Sequence, residues 1–141
     1  MRLLATLSAL LSILLLFLRL ATPAGAQESP TISFEGTHAA GGTIRFTVGR
    51  ASNAVEALEL EGLAGGGCSW DTITLTNWGG PIPIEMTTFK AANPDGDTIV
   101  GELLDHGRVE GTVEVTDPAK GCSSTPLRWI ANVLPPTMPV P

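Results

Sequence analysis

The chain has 141 residues, with 14 acidic and 8 basic side chains and a formal net charge of −6 at pH 7. This is the length of one small domain, and the negative charge excludes nucleic acid and anionic membrane surfaces as partners, because their phosphates require clustered lysine and arginine. The sequence contains only two histidines and two cysteines, which restricts the metal sites and nucleophiles that it can build.

The first 26 residues have the three-part layout of a secretory signal peptide. Arg2 precedes an apolar run from Leu3 to Leu18, and the small-residue site Ala24-Gly25-Ala26 follows. The apolar run is shorter than the ~20 residues that span a bilayer. We therefore expect cleavage after residue 26, a secreted or cell-envelope location, and no membrane association of the mature protein.

Alternation of apolar and polar side chains indicates the first strands. Residues 31–34 form a short strand candidate, and a turn is expected at His38–Gly42. The sequence GTIRFTV, residues 42–48, then alternates between large apolar residues and threonine or arginine. These patterns predict two strands, the second with one buried and one solvated face.

The segment AVEALELEGL, residues 54–63, is compatible with two structures. A helix would begin after Ser52 as its N-cap and end at one of the following glycines. A strand needs a β-bulge near Ala57, because Val55 would otherwise face away from Leu58. We favour the strand, since the neighbouring segments are strands and a lone helix would have to pack outside a sheet.

The middle of the chain predicts two further strands and a turn. DTITLTN, residues 71–77, is rich in threonine and β-branched residues. Pro81 and Pro83 place the next strand, residues 82–90, at a sheet edge, where a missing N–H is tolerated. Asn93-Pro94-Asp95-Gly96 has the sequence of a tight turn.

A β-hairpin is the clearest prediction in the C-terminal half. With Asp105-His106-Gly107 as a three-residue loop, Gly101 lies opposite Gly111. Two facing glycines leave a gap on the apolar face of the hairpin. We expect a tryptophan, Trp129 or Trp70, to fill this gap.

Cys68 and Cys122 are the only cysteines, and in an oxidising compartment they are expected to form a disulfide. The disulfide would close a loop of about 50 residues, which stabilises the folded state by about 4 kcal/mol in the chain-entropy model. Together with the strands, this predicts an all-β fold: an antiparallel β-sandwich or flattened barrel of about seven to nine strands with one disulfide. The domain covers residues 27–134, and residues 135–141 form a proline-rich C-terminal tail.

Alternating oxygen ligands give a candidate calcium site. Asn93, Asp95 and Asp97 occupy alternate positions, as the first ligands of an EF-hand loop do. The sequence then departs from that loop, because Thr98 stands at the glycine position and Leu104 at that of the closing glutamate. The alternative is a turn that opens a strand. No other cofactor is predicted.

Trp70 and Trp78 form a candidate ligand platform, since exposed aromatic rings bind sugars and other polymers. Trp78 is the better candidate, because it lies beside Gly79-Gly80 at a loop. The alternative is that both tryptophans pack in the core, because the chain has no tyrosine and few other aromatic residues.

No catalytic constellation is recognised in the sequence. His38 and His106 are predicted to lie in turns, without the GxSxG motif of a serine hydrolase. Glu110 and Glu114 share the outward face of one strand. A solvated acidic surface is therefore favoured over a pair of catalytic carboxylates.

The sequences GTVEVTD, residues 111–117, and CSSTPLRWIA, residues 122–131, resemble a recurrent type of small secreted bacterial domain. Those domains contain a G-T-h-x-V strand (h, hydrophobic), a short loop, a cysteine and an R-W-x-A strand, preceded by a strand like residues 42–48. The resemblance implies an all-β architecture and an extracellular location. It brings no catalytic residues.

These features favour an exported, non-enzymatic binding or surface-interaction module whose partner is a protein or a polysaccharide. Two alternatives remain open. One is a small secreted hydrolase that uses acidic residues, and the other is a purely structural domain.

Overall fold

The structure, a computed structural model, describes residues 30–136, so the predicted signal peptide and the end of the tail lie outside the described residues. This part of the chain is made of strands, two short 3₁₀ turns and loops, and contains no α-helix. The strands are β1 (Thr31–His38), β2 (Thr43–Gly49), β3 (Ala54–Gly65), β4 (Cys68–Thr74), β5 (Ile82–Glu85), β6 (Thr88–Ala92), β7 (Thr98–Leu103), β8 (Arg108–Glu114), β9 (Thr116–Asp117), β10 (Cys122–Ser123) and β11 (Leu127–Val133). The 3₁₀ turns are Leu75–Trp78 and Asp105–Gly107.

Eight strands close into an antiparallel barrel in the order β2-β1-β11-β8-β7-β6-β5-β3, and β3 pairs again with β2. β4 is an additional strand that pairs with the second half of β3. β9 and β10 form a small ladder of their own. The all-β prediction is confirmed, and of its two alternatives the structure shows the barrel.

β3 is a strand, and the predicted bulge near Ala57 is confirmed. On β2 the neighbours Thr47 and Val48 pair with Ala57 and Val55, so Glu56 is the extra residue. Because of this bulge Val55 faces the core, whereas Glu56 and Ala57 are both exposed.

Two aromatic rings fill the gap between the facing glycines. Gly101 lies opposite Gly111, as predicted. Trp129 pairs with Gly111 and Phe89 pairs with Gly101, so the four residues form one row across four strands. Both rings are 1% exposed, and a Cβ atom at Gly101 would overlap the Phe89 ring and lie 2.9 Å from Trp129. The filler is therefore Trp129 together with Phe89, and not Trp70.

The disulfide between Cys68 and Cys122 is present, with Cα atoms 6.1 Å apart. It joins the first residue of β4 to β10. The hairpin tip before β4 packs closely on the segment after Cys122, since a Cβ atom at Gly65 would meet the backbone of Ser124. The disulfide thus anchors one end of the additional strand.

The single strand predicted over residues 82–90 is wrong. β5 and β6 form a hairpin in which Glu85 pairs with Thr88 across the turn Met86-Thr87. Met86 has a φ of 57°, in the left-handed region where glycine or asparagine is usual. With neither of these residues present, the turn has no local signal in the sequence.

The strand predicted over residues 71–77 is displaced toward the N-terminus. β4 covers Cys68–Thr74, and residues 75–78 turn away as a 3₁₀ turn. Leu75 at the start of this turn is buried, so the apolar alternation continues after the strand has ended.

The turn predicted at His38–Gly42 is confirmed, since the N–H of Gly41 donates to the carbonyl oxygen of His38 at 2.9 Å, but the side chain of His38 is buried. His38 ends β1 and is 5% exposed, with its Nε2 atom 2.8 Å from the carbonyl oxygen of Glu61. Gly42 makes room for this ring, because a Cβ atom there would lie 2.5 Å from Nε2. His106 is exposed in the hairpin loop, as predicted.

We expect Trp129→Ala to lower the free energy of unfolding by about 3–5 kcal/mol, because it leaves a cavity beside two glycines that cannot fill it. Chemical denaturation followed by circular dichroism measures this change. Ile130→Ala, on the same strand but 40% exposed, is the matched control and should cost less than about 1 kcal/mol. Equal losses in the two variants would contradict the role of Trp129 as the filler.

Candidate functional site

A groove with a volume of about 420 Å³ runs along one side of β4. Its opposite wall comes from the turn between β6 and β7 and from the start of β9. The lining residues are Trp70, Thr72, Ile73 and Thr74 of β4, Thr76 and Asn77 of the first 3₁₀ turn, Asp95 and Asp97 of the β6–β7 turn, and Thr116 of β9. One aromatic ring is thus combined with hydroxyl, amide and carboxylate groups, a composition typical of sites that orient a polar ligand.

The groove brings together the two candidate sites predicted from the sequence. Trp70 is half-buried and lines it, next to the candidate calcium ligands Asp95 and Asp97. Both tryptophans are half-buried and pack against the core, but Trp78 does not line the groove and donates its indole N–H to the carbonyl oxygen of Asp97 at 3.3 Å. Of the two tryptophans, Trp70 is therefore the one placed to contact a ligand in this groove.

Asp97 is the buried centre of this region, with 5% of its surface exposed. Its Oδ2 atom accepts hydrogen bonds from the side-chain amides of Asn77 at 2.8 Å and Asn93 at 3.0 Å. Its Oδ1 atom accepts from the backbone N–H of Thr116 at 2.7 Å. The hydroxyl of Thr116 has one hydrogen, which is shared between this atom at 2.9 Å and the carbonyl oxygen of Asp95 at 2.8 Å. One carboxylate thus joins the 3₁₀ turn, the β6–β7 turn and β9, which are far apart in the sequence.

Asn93 holds the β6–β7 turn itself. Its Oδ1 atom accepts the backbone N–H groups of Asp95 at 3.0 Å and Asp97 at 2.9 Å. Its Nδ2 atom also donates to the carbonyl oxygen of Asn77 at 3.0 Å. Of the three predicted calcium ligands, Asp95 is the one whose side chain is exposed in the groove.

The donors around Asp97 bear directly on the calcium prediction. An ionised carboxylate has about four acceptor sites, and the side chain of Asp97 is surrounded by three N–H donors and the shared hydroxyl of Thr116. A calcium ion would have to displace protein donors before it could bind this carboxylate. Within residues 30–136, no group of three or more His, Cys, Asp or Glu side chains is arranged to hold a metal ion. Calcium binding stays a prediction from the sequence.

The same hydrogen bonds control the charge of Asp97. Burial acts to raise the pKa of its carboxyl group, because a low dielectric disfavours the ionised form. The hydrogen bonds from Asn77, Thr116 and Asn93 stabilise the ionised form and together outweigh burial, so the pKa of Asp97 lies below its usual value. Asp97 is therefore a permanently charged acceptor at neutral pH, which suits it to hold the groove in place.

Sequence reasoning did not identify Asn77 and Thr116 as partners of Asp97. The hairpin pairing could have located Thr116, because the register that places Gly101 opposite Gly111 also pairs Thr98 with Glu114. Continuing that register by one residue would pair Asp97 with Val115, which directly precedes Thr116 in the chain. Asn77 has no comparable signal, since it lies in an irregular turn between two strands.

Three glutamates form a cluster around Arg45 on the surface of the barrel. Arg45 contacts Glu35, Glu59 and Glu61 at 2.9, 3.6 and 3.3 Å, and all four side chains are about half exposed. Exposed ion pairs of this kind contribute little to stability.

Glu110 and Glu114, for which the sequence predicts a solvated surface, are half-buried. Glu110 forms an ion pair with Arg108, and Glu114 accepts a hydrogen bond from the hydroxyl of Ser123 at 3.1 Å.

Compared with models of known protein families and with curated proteins, the chain matches none of them. The fold defines the chain as an all-β barrel with one disulfide.

We expect Asp97→Asn to lower the free energy of unfolding at pH 7 by about 3 kcal/mol, because the amide puts an N–H₂ group among donors that need a charged acceptor. The pKa of Asp97 is lower in the folded state than in the unfolded state. The stability that Asp97 contributes is therefore complete above the unfolded pKa of about 3.9 and is lost as the pH falls through the folded pKa. Denaturation curves measured from pH 7 to pH 2 give the free energy of unfolding of both proteins. The difference in this free energy between wild type and Asp97→Asn should become smaller below about pH 4.

Asp95→Asn is the matched control, because it makes the same chemical change two residues away on an exposed side chain. It should alter stability by less than about 0.5 kcal/mol. If the difference in free energy of unfolding between Asp97→Asn and wild type does not change with pH, the lowered pKa of Asp97 is contradicted.

Proposed function

We propose that this chain is an exported, non-enzymatic binding module whose ligand lies in the groove along β4. The observation that carries the proposal is the position of Trp70, a half-buried residue of β4 that lines the same groove as the side chains of Asn77, Asp95 and Asp97. Such an arrangement offers a ligand apolar contact on one side and polar contacts on the other.

The frame around the groove supports this proposal. β4 pairs with β3 from Thr74 to Cys68 and is tied by the disulfide at its first residue. The opposite wall is fixed by the hydrogen bonds to Asp97. A site built on such supports loses little conformational entropy when a ligand binds.

The pKa of Asp97 does not suit the role of a catalytic acid. A catalytic acid needs a carboxyl group whose pKa is raised toward the operating pH. The pKa of Asp97, the buried carboxyl group of the groove, is shifted in the opposite direction. His38 lies on another strand, with its Nε2 atom beside the carbonyl oxygen of Glu61.

Export is the second part of the proposal. It is supported by the signal-peptide pattern in residues 1–26, by the disulfide, and by the resemblance of residues 111–131 to small secreted domains. In residues 30–136, no helix has the length and apolar character needed to cross a membrane.

The binding proposal is tested with immobilised oligosaccharides and extended peptides probed with the purified protein. We expect wild type to bind members of one of these two polymer classes and Trp70→Ala to bind them at least tenfold more weakly, because the variant loses the aromatic wall. Trp70→Phe keeps a ring and should retain most of the affinity. Circular dichroism establishes that each variant is folded.

Met86→Ala is the control for the loss of an exposed apolar side chain. Met86 is 98% exposed and lines a separate hollow beside β5 and β6 that shares no lining residue with the groove. This variant should bind as wild type does. No binding to either polymer class, or equal binding by wild type and Trp70→Ala, would overturn the proposal.

A further inference from the structure

The groove reaches the backbone of β4 in the second half of the strand. Thr72, Ile73 and Thr74 are consecutive, and all three line it. Successive side chains of a strand point to opposite faces, and the side chain of Ile73 packs in the core, so Ile73 reaches the groove through its backbone. The backbone of this residue therefore borders the space that a ligand would occupy.

This edge of β4 has no strand partner in the described part of the chain. β4 pairs with β3 on one side, and the strand order of the sheet ends there. Alternate N–H and C=O groups on its other side point away from β3, which is the hydrogen-bonding pattern that a further strand needs.

The free edge results from how the barrel closes. β3 pairs with β5 only through Ala54 with Pro83 and Val55 with Ile82, while its second half pairs with β4. β5 then continues to β6, so the closed ring passes beside β4 without including it. The side chains of Asn77, Asp97 and Thr116 also line the groove and are joined by hydrogen bonds.

We propose that the ligand of this groove is an extended segment of another polypeptide, which adds to β4 as a further strand and is rich in lysine or arginine. This inference rests on the proposed function and names its ligand. Main-chain hydrogen bonds to β4 would supply affinity, and the ring of Trp70 would contact alternate side chains of the added segment.

Charge complementarity determines the kind of segment. Asp95 and Asp97 line the groove, and none of its lining residues is lysine or arginine. Asp71 lies exposed in the middle of β4. A second copy of this chain paired through β4 would bring its own Asp71 against the same groove, and like charges oppose such pairing. The occupant is therefore a basic segment of a different chain.

The test begins with the peptides retained by the immobilised array. Each retained peptide is resynthesised with N-methyl groups on alternate residues, in an odd and an even series. In an added strand only one series loses hydrogen bonds to β4. We expect one series to bind at least tenfold more weakly and the other to bind within twofold of the parent. Equal effects of the two series would overturn strand addition.

The charge requirement is tested on the same peptides. Asp95→Asn should weaken binding of the basic peptides about threefold to tenfold, while Asp105→Asn, an exposed residue at the other end of β7, should leave it unchanged. Equal binding by wild type and Asp95→Asn would overturn the preference for a basic segment. Binding of oligosaccharides alone would overturn the peptide inference and leave the proposed function standing, whereas no binding to either class overturns both.

Discussion

The buried carboxylate of Asp97 is the interaction on which the geometry of the candidate site depends. It accepts hydrogen bonds from Asn77, Asn93 and Thr116, which belong to three separate segments. Within the described residues no backbone ladder joins these three segments to one another, since β4 pairs with β3 and β9 pairs with β10. Hydrogen bonds between side chains therefore hold the wall of the groove opposite β4. The edge of β4 that lacks a strand partner in residues 30–136 borders the same groove.

The parts of the fold that could be predicted from the sequence are those fixed by local periodicity. Two-residue alternation located β2 and β8, and counting across a three-residue loop placed Gly101 opposite Gly111. The phase change in residues 54–63 required a bulge, which lies at Glu56. In each case the signal is contained in a short stretch of chain, because a strand has one buried face and a hairpin has one register.

The parts that could not be predicted depend on contacts between distant segments or on unusual backbone conformations. Met86 adopts a positive φ without being glycine, so residues 82–90 give no sign of the turn that divides them. The buried position of His38 depends on Glu61 in another strand. The groove combines residues from β4, the β6–β7 turn and β9, and no local pattern predicts that Trp70 and Asp97 line the same space.

The most direct test of this account is the titration of the Asp97 carboxyl group in the folded protein, followed by carbon NMR of the side-chain carboxyl signal. The hydrogen bonds that Asn77, Asn93 and Thr116 donate to the ionised carboxylate predict a pKa below the ordinary value of about 3.9. A pKa at or above that value would mean that burial outweighs the hydrogen bonds. It would contradict the claim that an ionised Asp97 holds the groove together.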